Sequence, residues 1–356
     1  MTQVAVCCGA GGTGKTTVAA ALAMGHARGG SRVAVLTIDP ARRLADALGV
    51  EVLDNTPRAV PLEGTGTLHA LMLDRRSTWD EVVARRAEPQ TAERLFANRY
   101  YQAVATRLSG SQEYMAVEKL HDLVSSGDYD VVVVDTPPTQ HAVDFFRAPE
   151  RMRGILDRSV LRALVEPSGA LRGAAARGVL GVVSRIAGDR VMEDIRDFFG
   201  LIGEMSDGFR ARSEAVAALL VSPDTRYFLL ADASAPQRSD LETFLAELQQ
   251  RGMGFAGFLV NRVAPPIDAE LPTAQALRAA APDTAEWGAA VDGLCALARA
   301  ARAQARAHQS ALVHLRKLAP DAPIWMLPEL PEGVASTDGL LRLAAHLPSG
   351  GGSVEH

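Results

Sequence analysis

The residues best suited to chemistry lie near the start of the chain, in the stretch CCGAGGTGKTT at residues 7–17. The spacing G-x-x-x-x-G-K-[ST] is met by Gly9, Gly14, Lys15 and Thr16. An apolar run, VAVC, leads into the stretch and an alanine-rich run, VAAALAMGHA, follows it, so we expect a strand before it and a helix after it. Glycines there let backbone N–H groups turn towards phosphate oxygens. We expect the phosphates of a nucleotide to contact Gly9, Gly11, Gly12, Thr13, Gly14, Lys15, Thr16 and Thr17.

Lys15 and Thr16 have the most specific expected roles in this loop. The Lys15 ammonium group can reach the β and γ phosphates, and the Thr16 hydroxyl can ligate Mg²⁺. The alternative is a flexible glycine loop that matches the spacing by chance, and the flanking strand and helix argue against it. The stretch therefore predicts a Mg²⁺-dependent nucleotide site.

Two aspartates follow predicted strands and could complete such a site. Asp135 ends the run VVVVD, where a carboxylate can hold Mg²⁺ through water; the alternative is an acidic cap on the strand end. Asp39 follows VLTI, where it can orient or deprotonate an attacking water, and we also place it among the candidate magnesium residues. The alternative for Asp39 is a cap on a helix that begins at Pro40. Arg42 and Arg43 come next, and either could face phosphate or lie on a solvated helix.

The elements that position these residues alternate between strands and helices. Short apolar runs recur before turn or helix-start residues: VAVC, RVAVLTI, LHALML, DVVVVD, YFLLAD, GFLVN and PIWMLP. Together with the loop at residues 9–16, alternation of this kind predicts an α/β fold of the P-loop NTPase type, with a mostly parallel sheet flanked by helices. The unbroken run at residues 131–134 indicates a central strand that is buried on both faces.

The strand rhythm stops in the middle of the chain, which suggests an insertion. We expect residues 1–150 to form the first part of the nucleotide-binding core, with a helical stretch at 77–126. Residues 151–224 read as a helical insertion subdomain, and 225–348 as the second part of the core. The glycine-rich tail, 349–356, is expected to be flexible.

Composition limits the classes of function. The 356 residues carry 37 basic and 42 acidic side chains and a net charge of −5, which argues against a general nucleic-acid binder. No apolar run approaches the roughly 20 residues that span a bilayer, so we expect any membrane contact to be peripheral. Three cysteines, two of them adjacent, suit reduced thiols and a cytoplasmic location better than disulfides.

Taken together, GAGGTGKTT, LTIDPARRL, DVVVVDTPPTQHAVDFF, FLVNRV and LPELPEGV resemble, in order and spacing, the arsenite-pump ATPase family. That family includes the ATPase that targets tail-anchored membrane proteins. The resemblance spans nearly the whole chain and implies ATP as the nucleotide, Asp39 as the water-activating residue of switch I and Asp135 as the magnesium-linked residue of switch II. It further implies that His141 relays the nucleotide state, although a histidine after a turn is more often a cap. The residues implied to contact adenine are Asn261, Pro328, Leu330 and Pro331.

The sequence departs from the family at two points. The family loop reads G-K-G-G-x-G-K-[ST], and its first lysine reaches the phosphates of a dimer partner; here that position is Ala10. We therefore expect slow hydrolysis, a charge borrowed from an unlike partner subunit, or an arginine as substitute. Arginine is favoured because the chain has only three lysines, at 15, 119 and 317. The cysteine pairs that hold zinc or metalloid in the family are also missing. Their absence disfavours both a zinc-clasped dimer and metalloid binding through cysteine.

Two functional hypotheses remain in competition, with a third ranked below them. The first is an ATPase switch, a homodimer or a heterodimer with a related subunit, that opens and closes on a protein or hydrophobic client. The second is a subunit that binds ATP, scarcely hydrolyses it and has a structural or regulatory role. The third is a small-molecule kinase. An apolar stripe that could contact a client is more often core or dimer surface; it comprises Val191, Ile195, Phe198, Phe199, Ile202, Met205 and Phe209.

Overall fold

The computed structural model describes most of the chain, with gaps. The described residues are 1–99, 101–102, 111–137, 139–155, 197–198, 200–204, 206–234, 238–264, 274–280, 285–330, 333–334 and 336–348. Most of the proposed helical insertion, Pro331 and the tail at 349–356 lie outside them. The predicted division into domains stays a prediction.

One sheet of eight strands forms the centre of the described structure. The strands are β1 (Gln3–Gly9), β2 (Arg32–Thr37), β3 (Arg58–Val60), β4 (Thr67–Met72), β5 (Val131–Asp135), β6 (Thr225–Asp232), β7 (Gly254–Val263) and β8 (Ile324–Pro328). Their order is β3-β4-β2-β5-β1-β6-β7-β8, and every neighbouring pair is parallel except β3 with β4. The predicted α/β fold with a mostly parallel sheet is confirmed.

Helices cover both faces of the sheet. They are α1 (Lys15–Arg28), α2 (Arg43–Leu48), α3 (Arg75–Arg86), α4 (Pro89–Ala97), α5 (Ser111–Ser126), α6 (Thr139–Ile155), α7 (Ser206–Leu220), α8 (Arg238–Gln250), α9 (Ala274–Ala279), α10 (Ala285–Leu318) and α11 (Thr337–Ala344). Val132 and Val134 of β5 belong to the core on one face, and Val131 and Val133 to the core on the other. The continuous apolar run therefore marks a strand buried from both sides, as predicted.

The described part of the apolar stripe lies in the core. Phe198, Ile202 and Phe209 are at most 5% exposed, and the ring of Phe209 lies 6.1 Å from that of Trp79. The other four members of the stripe lie outside the described residues. Burial of these three side chains favours a packing role for this portion of the stripe.

No helix among the described residues is both long enough and apolar enough to cross a bilayer. The three cysteines form no disulfide, and Cys7 and Cys8 are buried on β1. Burial raises the pKa of the Cys8 thiol to about 12, so this thiol is protonated at neutral pH.

Candidate functional site

The loop between β1 and α1 depends on glycine at positions where a side chain does not fit. Gly14 has φ +87°, in the left-handed region, and a Cβ atom there would lie 2.3 Å from Asn261 Nδ2. At Gly9, a Cβ atom would lie 2.7 Å from the carbonyl oxygen of Leu230. No side chain caps the N-terminus of α1, so its first N–H groups remain available to an anion. The glycines therefore permit a tight loop that leads into an uncapped helix end.

Lys15 is the first residue of α1 and is only 7% exposed. Its Nζ atom donates a hydrogen bond of 2.8 Å to the carbonyl oxygen of Ala10, and the same oxygen accepts a bond of 3.0 Å from Thr13 Oγ1. Burial lowers the pKa of Lys15, while the nearby carboxylate of Asp135 opposes that shift. The ammonium group is therefore held across the mouth of the loop.

Asp135 ends β5, and its register partners are Cys7 of β1 and Thr37 of β2. The side chain is buried, and Oδ2 accepts a hydrogen bond of 2.9 Å from Thr37 Oγ1. Burial raises the pKa of Asp135 to about 6, and the negative charge of Asp39 adds to the rise. The hydroxyl groups of Thr16 and Thr37 and the ammonium of Lys15 act in the opposite direction.

The second carboxylate oxygen of Asp135, Oδ1, is buried and has no hydrogen-bond partner among the described residues. Such an atom is costly to leave bare, and a hydrated Mg²⁺ ion or a water molecule would satisfy it. No three His, Cys, Asp or Glu side chains cluster as a metal site in the described part of the chain. Mg²⁺ does not require such a cluster, since it commonly uses one or two protein ligands together with phosphate oxygens and water.

Asp39 lies just past β2, beside Asp135. Its Oδ1 accepts a hydrogen bond of 3.0 Å from the N–H of Ala41, and its Oδ2 lies 3.3 Å from Arg43 Nη1. The backbone N–H of Asp39 donates to Thr37 Oγ1 at 3.3 Å. Helix α2 begins at Arg43 rather than at Pro40, so Asp39 does not cap it. The structure therefore does not support the alternative that Asp39 only caps this helix.

The two arginines after Asp39 point to different places. Arg42 donates to the carbonyl oxygen of Glu51, at the far end of α2. The guanidinium group of Arg43 instead contacts Asp39, and 68% of its side chain is exposed. Arg43 is therefore the one of this pair that lies at the site.

The end of β7 reaches the loop from the other side. Asn261 is 9% exposed; its Nδ2 donates to the carbonyl oxygen of Thr13 at 2.9 Å, and its Oδ1 accepts from the N–H of Arg262 at 2.9 Å. The guanidinium of Arg262 donates to the carbonyl oxygen of Gly12 and pairs with Asp232. Sequence reasoning singled out Asn261 as a contact for adenine and missed both Arg262 and Asp232.

The remaining predicted site residues lie at the same edge of the sheet or nearby. Pro328 ends β8 and is the register partner of Val263 on β7, and Leu330 follows two residues later. His141 lies in the first turn of α6, which follows Asp135 and β5. Ala10 is 5% exposed, so its side-chain position is already covered by the chain itself.

The sequence matches known proteins along most of its length. Residues 2–277 match the family model described as "Anion-transporting ATPase". The chain is similar to the "ATPase GET3" of Malassezia globosa, with 32% identity over 43% of this chain and 44% of that protein. It is also similar to the "Uncharacterized protein SCO2128" of Streptomyces coelicolor, with 28% identity over 72% of this chain and 61% of that protein. A third relative is the "ATPase ASNA1 homolog" of Cryptosporidium parvum, with 25% identity over 73% of this chain and 65% of that protein. The chain thus spans less than two thirds of the length of these relatives.

Proposed function

Since this chain belongs to the anion-transporting ATPase family, we propose that it binds ATP with Mg²⁺ and hydrolyses it slowly as a nucleotide-dependent switch. The observation that carries the proposal is the meeting of Lys15, Asp135 and Asp39 at the carboxyl edge of three adjacent strands. There the Lys15 ammonium group closes the loop, and a buried carboxylate oxygen of Asp135 lacks a partner. Ligands of open α/β sheets bind at this edge.

Each residue has a distinct task in this proposal. The backbone N–H groups of the loop and Lys15 bind the phosphates, and Lys15 exchanges its bond to the Ala10 carbonyl for a phosphate oxygen. Thr16 and Asp135 would hold Mg²⁺, which neutralises charge on the β and γ phosphates when bound. Asp39 would orient or deprotonate the attacking water.

Slow turnover is expected because the loop has Ala10 where the family has a positively charged lysine. A cation placed on the transferred phosphoryl group can change rates by several orders of magnitude, and Ala10 provides none. Arg43 is the better placed of the two arginines to compensate, because its guanidinium already lies 3.3 Å from Asp39 Oδ2. The Arg42 guanidinium instead donates to the carbonyl oxygen of Glu51, which follows the C-terminal end of α2.

The second candidate is a subunit that binds ATP and scarcely hydrolyses it, with a structural or regulatory role. Ala10 favours it: its side chain is uncharged and 5% exposed. A small-molecule kinase ranks below both, because Asp39 fits water activation better than binding of a second substrate.

A single-turnover experiment separates the two main candidates. Excess protein with radiolabelled ATP and Mg²⁺ should release phosphate slowly in the wild type and more slowly still in Asp39→Asn, while Asp46→Asn, on the outer part of α2, should match the wild type. Complete absence of phosphate release with ATP bound would favour the non-hydrolysing subunit.

Coupling to a client or to a dimer is part of the same proposal. Supporting it are the family itself and the position of α6, which carries His141 and starts shortly after Asp135. Light scattering with ADP and with a non-hydrolysable ATP analogue tests it: a mass that depends on the nucleotide supports a switched dimer, and one fixed mass argues against it. A cytoplasmic location and the lack of a nucleic-acid partner stay predictions from the sequence.

A further inference from the structure

We propose that Asn261 and Arg262, at the end of β7, form a clamp that orients the phosphate loop. The clamp holds two successive carbonyl groups of the loop and so turns the following N–H groups towards the phosphates. Both are positioning residues, because they act through the backbone of Gly12, Thr13 and Gly14. The inference rests on the proposed nucleotide site and assigns Asn261 a role besides the adenine contact that the family resemblance implies.

The clamp consists of two hydrogen bonds from adjacent side chains to adjacent carbonyl groups. Arg262 donates from its guanidinium to the carbonyl oxygen of Gly12. Asn261 donates from Nδ2 to the carbonyl oxygen of Thr13, at 2.9 Å. The two pairs lie about 250 residues apart in the chain, so the fold itself brings these groups together.

Peptide geometry converts this hold on carbonyls into an orientation of N–H groups. A trans peptide is planar, and its C=O points opposite to the N–H of the next residue. No peptide bond among the described residues is cis. Fixing the carbonyls of Gly12 and Thr13 towards β7 therefore turns the N–H groups of Thr13 and Gly14 away from β7. These are N–H groups of the type that surrounds phosphate in such loops.

Two contacts hold Arg262 in place. Arg262 has φ +58°, and no other non-glycine residue in the described part of the chain has positive φ. Such a backbone persists only where its surroundings enforce it, and it is often found at functional sites. Here Asn261 Oδ1 accepts from the N–H of Arg262, and Asp232 pairs with its guanidinium. Asp232 is the register partner of Asn261, so β6 supplies the anchor.

Helix α10 contacts the segments that follow β6 and β7 through His308. His308, which is 3% exposed, accepts a hydrogen bond of 3.0 Å at Nδ1 from the N–H of Ala264, just after β7. In the neutral ring this leaves the proton on Nε2, which lies 3.3 Å from Ser234 Oγ, just after β6. One buried imidazole thus ties together the segments that follow Asp232 and Arg262.

The test compares nucleotide affinity in the full chain with and without the clamp. Arg262→Gln should weaken ATP and GTP by the same factor, about tenfold, since one hydrogen bond from a charged group is lost and a tenfold change corresponds to about 1.4 kcal/mol. Arg262→Lys, which keeps a cationic donor, should recover part of the loss. The matched control is Arg226→Gln, on an exposed arginine near the start of β6, which should leave both affinities unchanged.

Several outcomes would overturn the clamp. Unchanged ATP affinity in Arg262→Gln would do so, as would a loss confined to one base, which would indicate base recognition. In a double-mutant cycle, the losses of nucleotide affinity caused by Arg262→Gln and by Asp232→Asn should be non-additive, because both substitutions break the same ion pair. Additive losses would argue against the clamp.

A second measurement keeps the clamp testable without nucleotide. In the nucleotide-free protein, the ¹⁵N order parameters of Thr13 and Gly14 should fall in Arg262→Gln and stay unchanged in Arg226→Gln. Unchanged values in both variants would refute the clamp. If the wild type binds no nucleotide but the order parameters fall as expected, the proposed function fails and the clamp survives as a device that orders the loop.

Discussion

The hydrogen bond from Thr37 lowers the pKa of Asp135 against the rise that burial causes, and Thr37→Val tests this contribution with almost no change in side-chain shape. The Thr37 hydroxyl donates to Asp135 Oδ2 at 2.9 Å and is fully enclosed by the protein. A hydrogen bond to a charged group contributes about 1.5–3 kcal/mol, and about 1.4 kcal/mol corresponds to one pH unit in a pKa. Because the pKa of Asp135 is already about 6, losing this bond should place it at or above neutral.

The consequence should appear in the pH dependence of Mg²⁺-ATP binding. Only the ionised carboxylate can hold Mg²⁺, so the affinity of the wild type should fall as the pH drops below about 6. In Thr37→Val the fall should begin about one to two pH units higher, with an affinity about two- to tenfold weaker at pH 7 and recovery near pH 9. Isothermal titration calorimetry between pH 5.5 and about 9 measures the shift.

Thr37→Ser is the matched control, because it keeps the hydroxyl and should follow the wild-type profile. The terminal phosphate of ATP also titrates near pH 6, but this contribution is common to all three proteins and cancels in their ratios. Superimposed profiles for wild type and Thr37→Val would refute the reasoning, as would a Thr37→Ser profile that matches Thr37→Val.

Three further predictions concern the same edge of the sheet. The raised pKa of Asp135 stabilises the nucleotide-free protein fully below the unfolded value of 3.8 and less as the pH rises through about 6; urea unfolding of Asp135→Asn should lack this decline. Arg43→Ala should slow single-turnover hydrolysis by tenfold or more, whereas Arg42→Ala, which loses only a contact with the Glu51 carbonyl, should not; equal rates in both variants would remove Arg43 from the site. Gly14→Ala should abolish nucleotide binding measured by calorimetry, because φ +87° costs about 1–2 kcal/mol with a Cβ atom and that atom would lie 2.3 Å from Asn261 Nδ2; retained binding would show that the loop adapts.

Much of the fold could be predicted because burial leaves a direct pattern in the sequence. All seven apolar runs form strands, and the described part of the helical stretch predicted at 77–126 forms the helices α3, α4 and α5. The strand β3 was missed because it is only three residues long, pairs antiparallel at the sheet edge and has two exposed residues. Its sequence, RAV, has no extended apolar pattern for a strand to be read from.

The candidate site could be predicted from the sequence only where a short segment determines the positions of its residues. The phosphate loop and the strand-end aspartates are recognisable because spacing within a few residues determines their geometry. The contacts of Arg262 depend on a positive φ and on pairing with Gly12 and Asp232, and the sequence around Arg262 specifies neither. The start of α2 at Arg43, three residues after Pro40, was likewise not evident from the sequence.

Mg²⁺-dependent ATP binding by the purified chain tests the central claim most directly. Calorimetry should find one ATP per chain, with tight binding only when Mg²⁺ is present. Lys15→Met, which removes the buried ammonium group at the loop, should lose that binding, while Lys317→Met, on an exposed lysine of α10, should keep it. Absence of binding to the folded wild type at near-millimolar ATP, or equal affinities in wild type and Lys15→Met, would contradict the account.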